Sequence, residues 1–384
     1  MKIEVAKSDL EAALQVVSIG TSGTGSDLST HFLFRHEVVD DDERVSILAY
    51  NGRLGASIPL VCKVTVEEEA ASSFTVESWR LKQWLAAAAD TALTLEYDDG
   101  TVKATALKGS VKFRSLDPSS FPFWDESLAQ AKKIVDLEAT RLHAALSHAK
   151  LFTHEKDTTK PHLSVTEVQN GSLRASDMAS LTLITIEELA ESNLRIHGKD
   201  LQQVLSYLAL IADEDVEILE TERNLFLKRS DEGILSVGRP HNAFPPIKVD
   251  KDSDDMHWWV VSTHDLDCAV KQLASSAAKE DHRLTIDFDP EGNEVLLSMT
   301  SASGSTDCLQ LECPEHGSSE NPESPLPEGG FAIKYPYIQR FLSQYKQKAL
   351  RFGINPQGKK GGWIRFRDAR GEDDYLTLLI WLTS

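Results

Sequence analysis

The chain has 384 residues, of which 41% are hydrophobic, and it carries a formal net charge of −20 at pH 7. This length allows about two to four domains, each large enough to bury a core. The acidity argues against a protein that coats its surface with nucleic acid, and no apolar run is long enough to predict a membrane span. The opening sequence MKIEVAKSDL lacks the apolar segment of a signal peptide, so we expect a cytoplasmic protein.

The first third of the chain predicts strands that alternate with two helices. Ser8–Ile19 places Leu10 and Leu14 on one apolar face and predicts the first helix. The acidic residues 40–43 are expected at a solvated hairpin tip, and Asp98-Asp99-Gly100 is typical of a tight turn. The predicted strands of this third lie at 2–6, 31–39, 45–50, 56–65, 92–97, 101–107 and 110–116.

The second predicted helix belongs to a pattern that the chain contains three times. Each copy has apolar residues at positions i, i+3 and i+4, which form one buried stripe on an amphipathic helix. When the copies are superimposed, Leu81, Leu201 and Ile338 coincide. One such stripe is typical of any core helix, but three stripes in the same residue context predict three copies of one domain. The copies are Val76–Ala89, Ile196–Ala209 and Ile333–Tyr345.

The middle third repeats the order of the first. It opens with a predicted helix at Leu137–Lys150. A strand-ending Asn or Asp, a residue type that starts turns, recurs as Asn51 and Asp177. The first and the middle third also each close with a Phe-Pro pair, at Phe121-Pro122 and at Phe244-Pro245. The predicted strands lie at 163–168, 172–176, 180–186, 216–220, 224–228 and 234–237.

The last third begins near Trp258 and has one distinguishing insertion. Its first helix is predicted at Asp265–Lys279, and the Pro/Ser/Glu-rich residues 313–330 are expected to form a mobile surface loop. Linkers are predicted at 125–134 and 249–257. The resulting domain prediction is 1–125, 135–250 and 257–384.

The predicted helices have the opposite charge to the chain as a whole. Together they carry more Lys and Arg than Asp and Glu, although the chain carries −20. A basic residue on a single helix is usually only solvated. Helices with a net positive charge in an otherwise acidic protein favour the hypothesis that one surface of the protein binds a polyanion. Phosphate contacts of this kind bind without reading base sequence and weaken with salt. The helices counted are 7–19, 79–89, 141–150, 199–210, 265–279 and 334–348.

Six segments, in the order and spacing of the repeats, carry a resemblance to a known family. They are FRSLDPSSFPFW at 113–124, TKPHLS at 159–164, LRASDMASLTL at 173–183, AFPPIKV at 243–249, GFAIKYPYIQRFL at 330–342 and TLLIWLTS at 377–384. Over its whole length the chain resembles a divergent member of the bacterial β sliding clamps, the processivity subunits of DNA polymerase III. The resemblance implies an α+β fold of three tandem clamp domains, each with two helices packed on antiparallel sheets.

The resemblance also implies an assembly and a set of partners. Two copies would close head to tail into a ring around duplex DNA, held by sequence-independent phosphate contacts. Edge strands within 101–116 of one copy would pair with 294–300 or 306–311 of the next. The implied partners are double-stranded DNA, a DNA polymerase, a clamp loader and a second copy of the chain. The resemblance implies no membrane partner, cofactor, metal or catalytic residue.

The family takes partner peptides in an apolar pocket between its second and third domains. A residue-by-residue match implies that this pocket contains Leu163, Ser176, Leu181, Pro245, Val249, Tyr335, Leu378, Ile380 and Leu382. Core packing remains an open alternative for each of these residues. The DNA-binding residues predicted from the predicted helices are Arg80, Lys82, Arg141, Lys150, Lys199, Gln203, Arg340 and Lys346. The resemblance adds Lys160 and His162, which match family positions near DNA. Met178, Ala179 and Ser180 depart from the family pattern, as does Trp381, so we expect an altered peptide specificity.

Two other functions are alternatives to that of a clamp. An enzyme is disfavoured because the sequence has no GxSxG, P-loop, HExxH or Cys/His ligand pattern. Gly20–Gly25 lacks the Lys and Ser/Thr of a P-loop. His143 and His148 are five residues apart, a spacing that does not place two metal ligands on one face of a helix. The second alternative, a clamp-like interaction scaffold or accessory clamp that does not itself support processive replication, remains open.

Overall fold

The computed structural model describes residues 1–22, 27–39, 42–66, 72–89, 91–107, 109–122, 124–154, 160–177, 180–244, 257–277, 282–288, 293–318, 330–345, 347–355, 363–368 and 375–380. Within these residues the chain is an α+β protein whose sheets are antiparallel. Its helices are α1 Lys7–Val17, α2 Ser78–Ala87, α3 Asp125–Ala129, α4 Ala139–Lys150, α5 Gly198–Ala209, α6 Thr263–Ser276 and α7 Tyr335–Gln344. In this part of the chain no helix is both long and apolar enough to cross a membrane.

The strands are short and follow one another closely along the chain. They are β1 Lys2–Ala6, β2 His31–Val39, β3 Asp42–Tyr50, β4 Leu54–Leu60, β5 Cys62–Thr65, β6 Ser73–Glu77, β7 Ala92–Asp98, β8 Thr101–Ala106, β9 Gly109–Arg114, β10 Lys132–Glu138, β11 Val165–Gln169, β12 Ser172–Ser176, β13 Ser180–Thr185, β14 Arg195–His197, β15 Asp215–Glu220, β16 Asn224–Lys228, β17 Ile234–Gly238, β18 His257–Ser262, β19 Arg283–Phe288, β20 Glu294–Thr300, β21 Thr306–Glu312, β22 Glu315–Ser318, β23 Phe331–Lys334, β24 Ala349–Asn355, β25 Trp363–Asp368 and β26 Tyr375–Ile380.

The first compact unit comprises Met1–Ala144 and Leu194–His241 and contains two sheets. Their strand orders are β5–β1–β7–β8–β9 and β10–β15–β16–β17–β4–β3–β2–β6. Helix α1 packs against β3 and β4 through residues such as Leu10, which is fully buried. Phe34 and Phe74 stand opposite each other on β2 and β6, and their rings therefore stack at 4.9 Å.

The second compact unit comprises Ala145–Asn193 and Asn242–Ser384. One of its sheets has the order β11–β12–β13–β26–β25–β24–β18–β22, and the other has the order β21–β20–β19–β23. Three phenylalanines fill the core beside the longer sheet. The ring of Phe366 lies 5.0 Å from that of Phe341 on α7 and 4.9 Å from that of Phe352 on β24.

The helix pattern that recurs in the sequence forms α2, α5 and α7. Their coincident residues Leu81, Leu201 and Ile338 are all fully buried, so the three predicted helices and their apolar stripes are confirmed. Helices α2 and α7 end earlier than predicted because the backbone becomes extended at Ala88 and Tyr345.

Two junctions between strands share the same local geometry. We call the pairing of β4 with β17 in the first unit the first junction, and the pairing of β13 with β26 in the second unit the second junction. The Asn51 side-chain oxygen accepts the backbone N–H of Leu54 at 2.9 Å before β4. The Asp177 carboxylate accepts that of Ser180 at 2.8 Å before β13. The predicted recurrence of Asn51 and Asp177 as turn residues is thereby confirmed.

The tight turn predicted between β7 and β8 is also confirmed. Asp99 and Gly100 have positive φ values of 39° and 75°, the backbone conformation that a two-residue hairpin turn requires. At the hairpin between β2 and β3, Asp42 and Glu43 are exposed as expected for an acidic tip, while residues 40–41 lie outside the described residues.

One predicted strand, 56–65, is wrong as a single element. The chain leaves β4 after Leu60 and enters β5 at Cys62, and these two strands belong to different sheets. Val61 between them is 78% exposed. Apolar alternation continues through this corner, and it therefore gave no sign of the change of sheet.

Two segments predicted to be irregular contain regular structure. The linker predicted at 125–134 holds α3 and the start of β10, because the carbonyl of Trp124 accepts the N–H of Leu128 at 2.8 Å and closes a helical turn. The loop predicted at 313–330 contains β22, which pairs with β18. Residues 319–329 of that loop, and the predicted linker at 249–257 up to residue 256, lie outside the described residues. The division into three domains stays a prediction.

Candidate peptide and nucleic-acid interfaces

Three residues predicted for the peptide site occupy one row of the longer sheet in the second unit. Ser176 stands opposite Leu181 across β12 and β13, and Leu181 stands opposite Leu378 across β13 and β26. Residues directly opposite each other in antiparallel strands belong to the same face of the sheet. Ser176 and Leu181 are 3% and 2% exposed, so both of these side chains are buried in the structure.

The other residues predicted for this site lie on different elements. Leu163 is in a short 3₁₀ turn before β11 and is buried. Tyr335 begins α7, is half-buried, and meets the ring of His282 edge-on at 5.5 Å. Ile380 is the last residue of β26. The remaining predicted residues, Pro245, Val249 and Leu382, lie outside the described residues. The contact of Leu163 and Tyr335 with the row stays a prediction.

An ion pair fixes the turn beside this row to helix α7. Arg340 donates from Nη1 to Asp177 Oδ2 at 2.7 Å and to the carbonyl of Leu151 at 2.9 Å. The guanidinium carbon lies 5.3 Å from the centre of the Tyr337 ring. Burial, together with the nearby Asp177 carboxylate, raises the pKa of Tyr337. The Asp177 side chain is only 10% exposed, so loss of Arg340 would leave a poorly hydrated charge.

From the sequence, Arg340 is expected to bind DNA and Asp177 is expected only to form a turn. The two residues are 163 positions apart, and no local pattern connects them. A contact of Arg340 with DNA stays a prediction, and in this structure its guanidinium is held by the turn.

A buried imidazole lies against the same helix. His148, near the end of α4, is 3% exposed, and its ring lies 5.3 Å from Phe152 and 5.7 Å, edge-on, from Phe341. Burial lowers the pKa of His148 to about 4, so the ring is neutral at pH 7. The structure therefore places His148 in an aromatic core.

Four residues predicted to bind DNA have exposed side chains on helices: Arg80, Lys82, Arg141 and Lys199. Arg80 pairs with Glu77 at 2.9 Å, which leaves much of its guanidinium facing solvent. The Lys82 ammonium lies 5.6 Å from the centre of the Phe32 ring, and partial burial lowers the pKa of Lys82. Both cations are on α2.

The other predicted DNA-binding residues are less exposed. Those of intermediate exposure are Lys150, Lys160, His162, Gln203 and Arg340, and Lys346 lies outside the described residues. The structure thus places the most accessible predicted cations on α2, α4 and α5. Their contact with DNA stays a prediction.

Comparison with known proteins assigns the fold. No family model matches the chain, and no curated protein matches its sequence. A DNA polymerase sliding clamp from Pseudomonas aeruginosa, solved with ligand, matches 100% of both chains with a TM-score of 0.81 at 13% identity. The DNA polymerase III beta subunit from Thermotoga maritima and the sliding clamp from Bacillus subtilis each give 0.78 at 15% identity, covering 100% of this chain and 99% of theirs. The chain has the sliding-clamp fold. The fold predicted from the sequence resemblance is confirmed.

In this sliding-clamp fold, one sheet in each unit ends on a strand predicted for subunit pairing. In the first unit β9 is the end strand of its sheet, and its Val111 is 43% exposed. In the second unit β21 is the end strand, beside β20 with its 40% exposed Leu296. Of the two segments predicted as a pairing edge, 306–311 is therefore at an edge, and 294–300 is in the sheet interior.

Proposed function

We propose that this protein is a DNA sliding clamp, a replication processivity factor that encircles duplex DNA and tethers a DNA polymerase and other replication or repair proteins. The observation that carries the proposal is the match over the whole length of both chains, at TM-scores of 0.78 to 0.81, to DNA polymerase sliding clamps. In this role the protein makes and breaks no covalent bond. It acts by topology, because a closed ring slides along duplex DNA but does not leave it.

The end strands support ring closure by two copies. An end strand presents backbone N–H and C=O groups that are ready to pair with another chain. In the proposed dimer, β9 of one copy pairs with β21 of the other, and the reciprocal contact closes the ring. A head-to-tail contact avoids open filaments only when it closes in this way.

The exposed cations on the helices support a sequence-independent contact with DNA. Arg80 and Lys82 on α2, Arg141 on α4 and Lys199 on α5 are exposed in a chain that carries −20 overall. Cations of this kind contact phosphates and release counterions, so the contact weakens with salt and permits sliding. Retention on circular but not on linear DNA tests the proposal directly.

The row at the second junction supports a peptide site for partners. An apolar groove with a few polar groups at its rim is the form that such sites take. Here the row contains Leu181 and Leu378, with the Asp177–Arg340 ion pair beside it. Because Leu181 is only 2% exposed, the proposal requires the residues that cover the row to move when a peptide binds. A partner held there inherits the clamp's effective concentration on DNA.

Leu181→Ala is expected to weaken binding of a short peptide from a clamp-dependent polymerase by about tenfold or more, a loss of about 1.4 kcal/mol. The reason is the loss of an apolar contact at the centre of the proposed row. Fluorescence anisotropy with the labelled peptide measures the effect.

Leu183→Ala is the matched control for this test. Leu183 lies two residues further along β13, is 4% exposed, and stands opposite Leu376. The Leu183→Ala variant therefore loses a similar amount of packing but keeps Leu181. If Leu181→Ala and Leu183→Ala bound the peptide with equal affinity, the peptide site would not be at Leu181.

A further inference from the structure

Helix α2 begins with an exposed tryptophan. Trp79 is the second residue of the helix, and its side chain is 46% exposed. Among the residues that the structure describes, the other exposed large apolar side chains are valines and leucines. A single exposed apolar side chain is common on protein surfaces. The groups that surround Trp79 therefore decide what its indole can bind.

Glu77, the residue before α2, holds the side chains of Trp79 and Arg80 together. Its carboxylate oxygen Oε1 accepts a hydrogen bond from the indole Nε1 of Trp79. Its other oxygen, Oε2, lies 2.9 Å from Nε of Arg80, whose side chain remains 56% exposed. The guanidinium carbon of Arg80 lies 5.4 Å from the centre of the Trp79 ring. One carboxylate thus places an accessible aromatic ring beside an accessible cation.

The exposed surface of α2 has the charge that suits an anionic ligand. The helix sequence SWRLKQWLAA contains Arg80 and Lys82 but no acidic residue. Lys82 is exposed like Arg80, and the neighbouring Glu77 is already paired. The chain as a whole carries −20, so the positive sign is a local property of this helix. Charge complementarity therefore favours a polyanion at α2.

An aromatic ring beside a cation is the arrangement with which many proteins bind single-stranded nucleic acid. The cation contacts a phosphate, and an unpaired base stacks on the ring. In a duplex each base is covered by its stacked neighbours, and proteins reach only the base edges in the grooves. The ring of Trp79 would therefore find a stacking partner in DNA only where the bases are unpaired.

A second tryptophan–arginine pair in the chain shows the contrasting, closed arrangement. The guanidinium carbon of Arg351 lies 4.5 Å from the centre of the Trp258 ring. The backbone of Gly317 lies against the same ring, because a Cβ atom added to that glycine would be 2.7 Å from Cε2 and Cζ2 of the indole. Trp258 is accordingly less exposed than Trp79. Trp258 packs against its own chain, and it provides a matched control for Trp79.

We propose that Trp79 and Arg80 form a binding site for unpaired DNA bases, such as those of a single-stranded stretch that adjoins a duplex. The proposal rests on the proposed DNA-clamp function and names one class of DNA that the protein contacts. Trp79 stacks on a base, Arg80 contacts a neighbouring phosphate, and Glu77 is the positioning residue for both. The site distinguishes DNA with unpaired bases from fully paired DNA.

The test compares two fluorescein-labelled probes, a thymidine strand of about 20 nucleotides and a blunt duplex of about 20 base pairs. Anisotropy measures their binding to the full-length protein in low salt. Trp79→Ala should weaken binding of the single strand by about tenfold and change binding of the duplex by less than about twofold. Arg80→Ala should weaken both, because a phosphate contact does not depend on base pairing. Trp258→Ala should change neither, and Trp258→Phe replaces it if the alanine variant does not fold.

Tryptophan fluorescence reports the stacking itself, because a base stacked on an indole quenches its emission. An unlabelled thymidine strand should quench the wild type and Trp258→Phe but not Trp79→Phe. The phenylalanine at this position still offers an aromatic ring, so Trp79→Phe should bind the strand more tightly than Trp79→Ala does. Quenching of Trp79→Phe to the same extent as the wild type would contradict stacking on Trp79.

The affinities separate failure of this site from failure of the proposed clamp function. Equal affinity of Trp79→Ala and the Trp258 control for the single strand would overturn the site. Equal weakening of single-strand and duplex binding by Trp79→Ala would also overturn it. A wild-type protein that is retained on circular duplex DNA but does not bind the single strand would overturn the site and leave the clamp function. Binding of the single strand through Trp79, without retention on circular DNA, would support the site and remove the closed ring.

Discussion

Arg53→Ala is expected to lower the free energy of unfolding by about 3–5 kcal/mol, the range for stranding a buried charge. The Arg53 guanidinium Nε lies 2.5 Å and 2.7 Å from the two carboxylate oxygens of Asp200. The Asp200 side chain is 0% exposed, whereas Arg53 is 39% exposed. Removal of Arg53 therefore leaves a carboxylate that water does not reach. Urea unfolding followed by tryptophan fluorescence measures the change.

Arg44→Ala is the matched control for the Arg53 variant. Arg44 also pairs with an acidic residue of the first unit, Glu232, at 2.8 Å, but the two side chains are 40% and 57% exposed. Its loss is expected to cost less than about 1 kcal/mol. The double variant R53A/D200N should recover part of the stability, because no buried charge remains. Equal small losses for Arg53→Ala and Arg44→Ala would contradict this account of the pair.

The contribution of His148 to the free energy of unfolding is expected to fall by about 3 kcal/mol as the pH drops from 6.5 to 4. Burial lowers the pKa of His148 to about 4 in the folded state, from 6.5. Between these values the unfolded chain binds a proton that the folded chain does not. The stabilisation is therefore fully present above pH 6.5 and is lost progressively down to pH 4, with a slope of about 1.4 kcal/mol per pH unit.

His148→Leu tests this slope, because leucine fills the aromatic site without a titrating group. The difference in unfolding free energy between wild type and His148→Leu should move in favour of the variant as the pH falls from 6.5 to 4. His143→Leu, on the same helix but with a half-buried side chain, is the control. A constant difference between the wild type and His148→Leu over this range would contradict a buried, neutral imidazole.

Periodic and repeated features could be predicted from the sequence. The stripes of Leu81, Leu201 and Ile338 specify core helices because one residue in every three or four faces the sheet. Asn51 and Asp177 specify turns through their own side-chain hydrogen bonds. These signals are local, so they survive in a chain that is only 13–15% identical to clamps of the same fold.

Features that depend on distant residues could not be predicted. The Arg53–Asp200 pair joins residues 147 positions apart. No local sequence pattern indicates that these two residues form an ion pair. Arg340 was assigned to DNA from its charge, but the structure adds an ion pair that only the fold supplies. The alternation of apolar residues continues through Val61, where the chain passes from one sheet to another, so the sequence does not indicate this change.

The candidate site was only partly within reach of sequence reasoning. Alternation along the last strand predicted that Leu378 and Ile380 share a face, and the register with β13 places Leu378 opposite Leu181. The contact of Trp124 with Gly55 could not be predicted, because it joins two residues that are far apart along the chain. A glycine opposite a tryptophan far along the chain gives no local signal.

Retention on circular DNA tests the central claim, that the protein acts as a closed ring. The protein is loaded with a competent clamp loader onto nicked circular DNA in moderate salt, and half of the sample is then linearised. Gel filtration measures the fraction of protein that stays with each DNA. The ring predicts retention on the circle and loss from the linear ends. Equal retention on both DNAs, or equal loss from both, would contradict a sliding clamp and favour an interaction scaffold with the same fold.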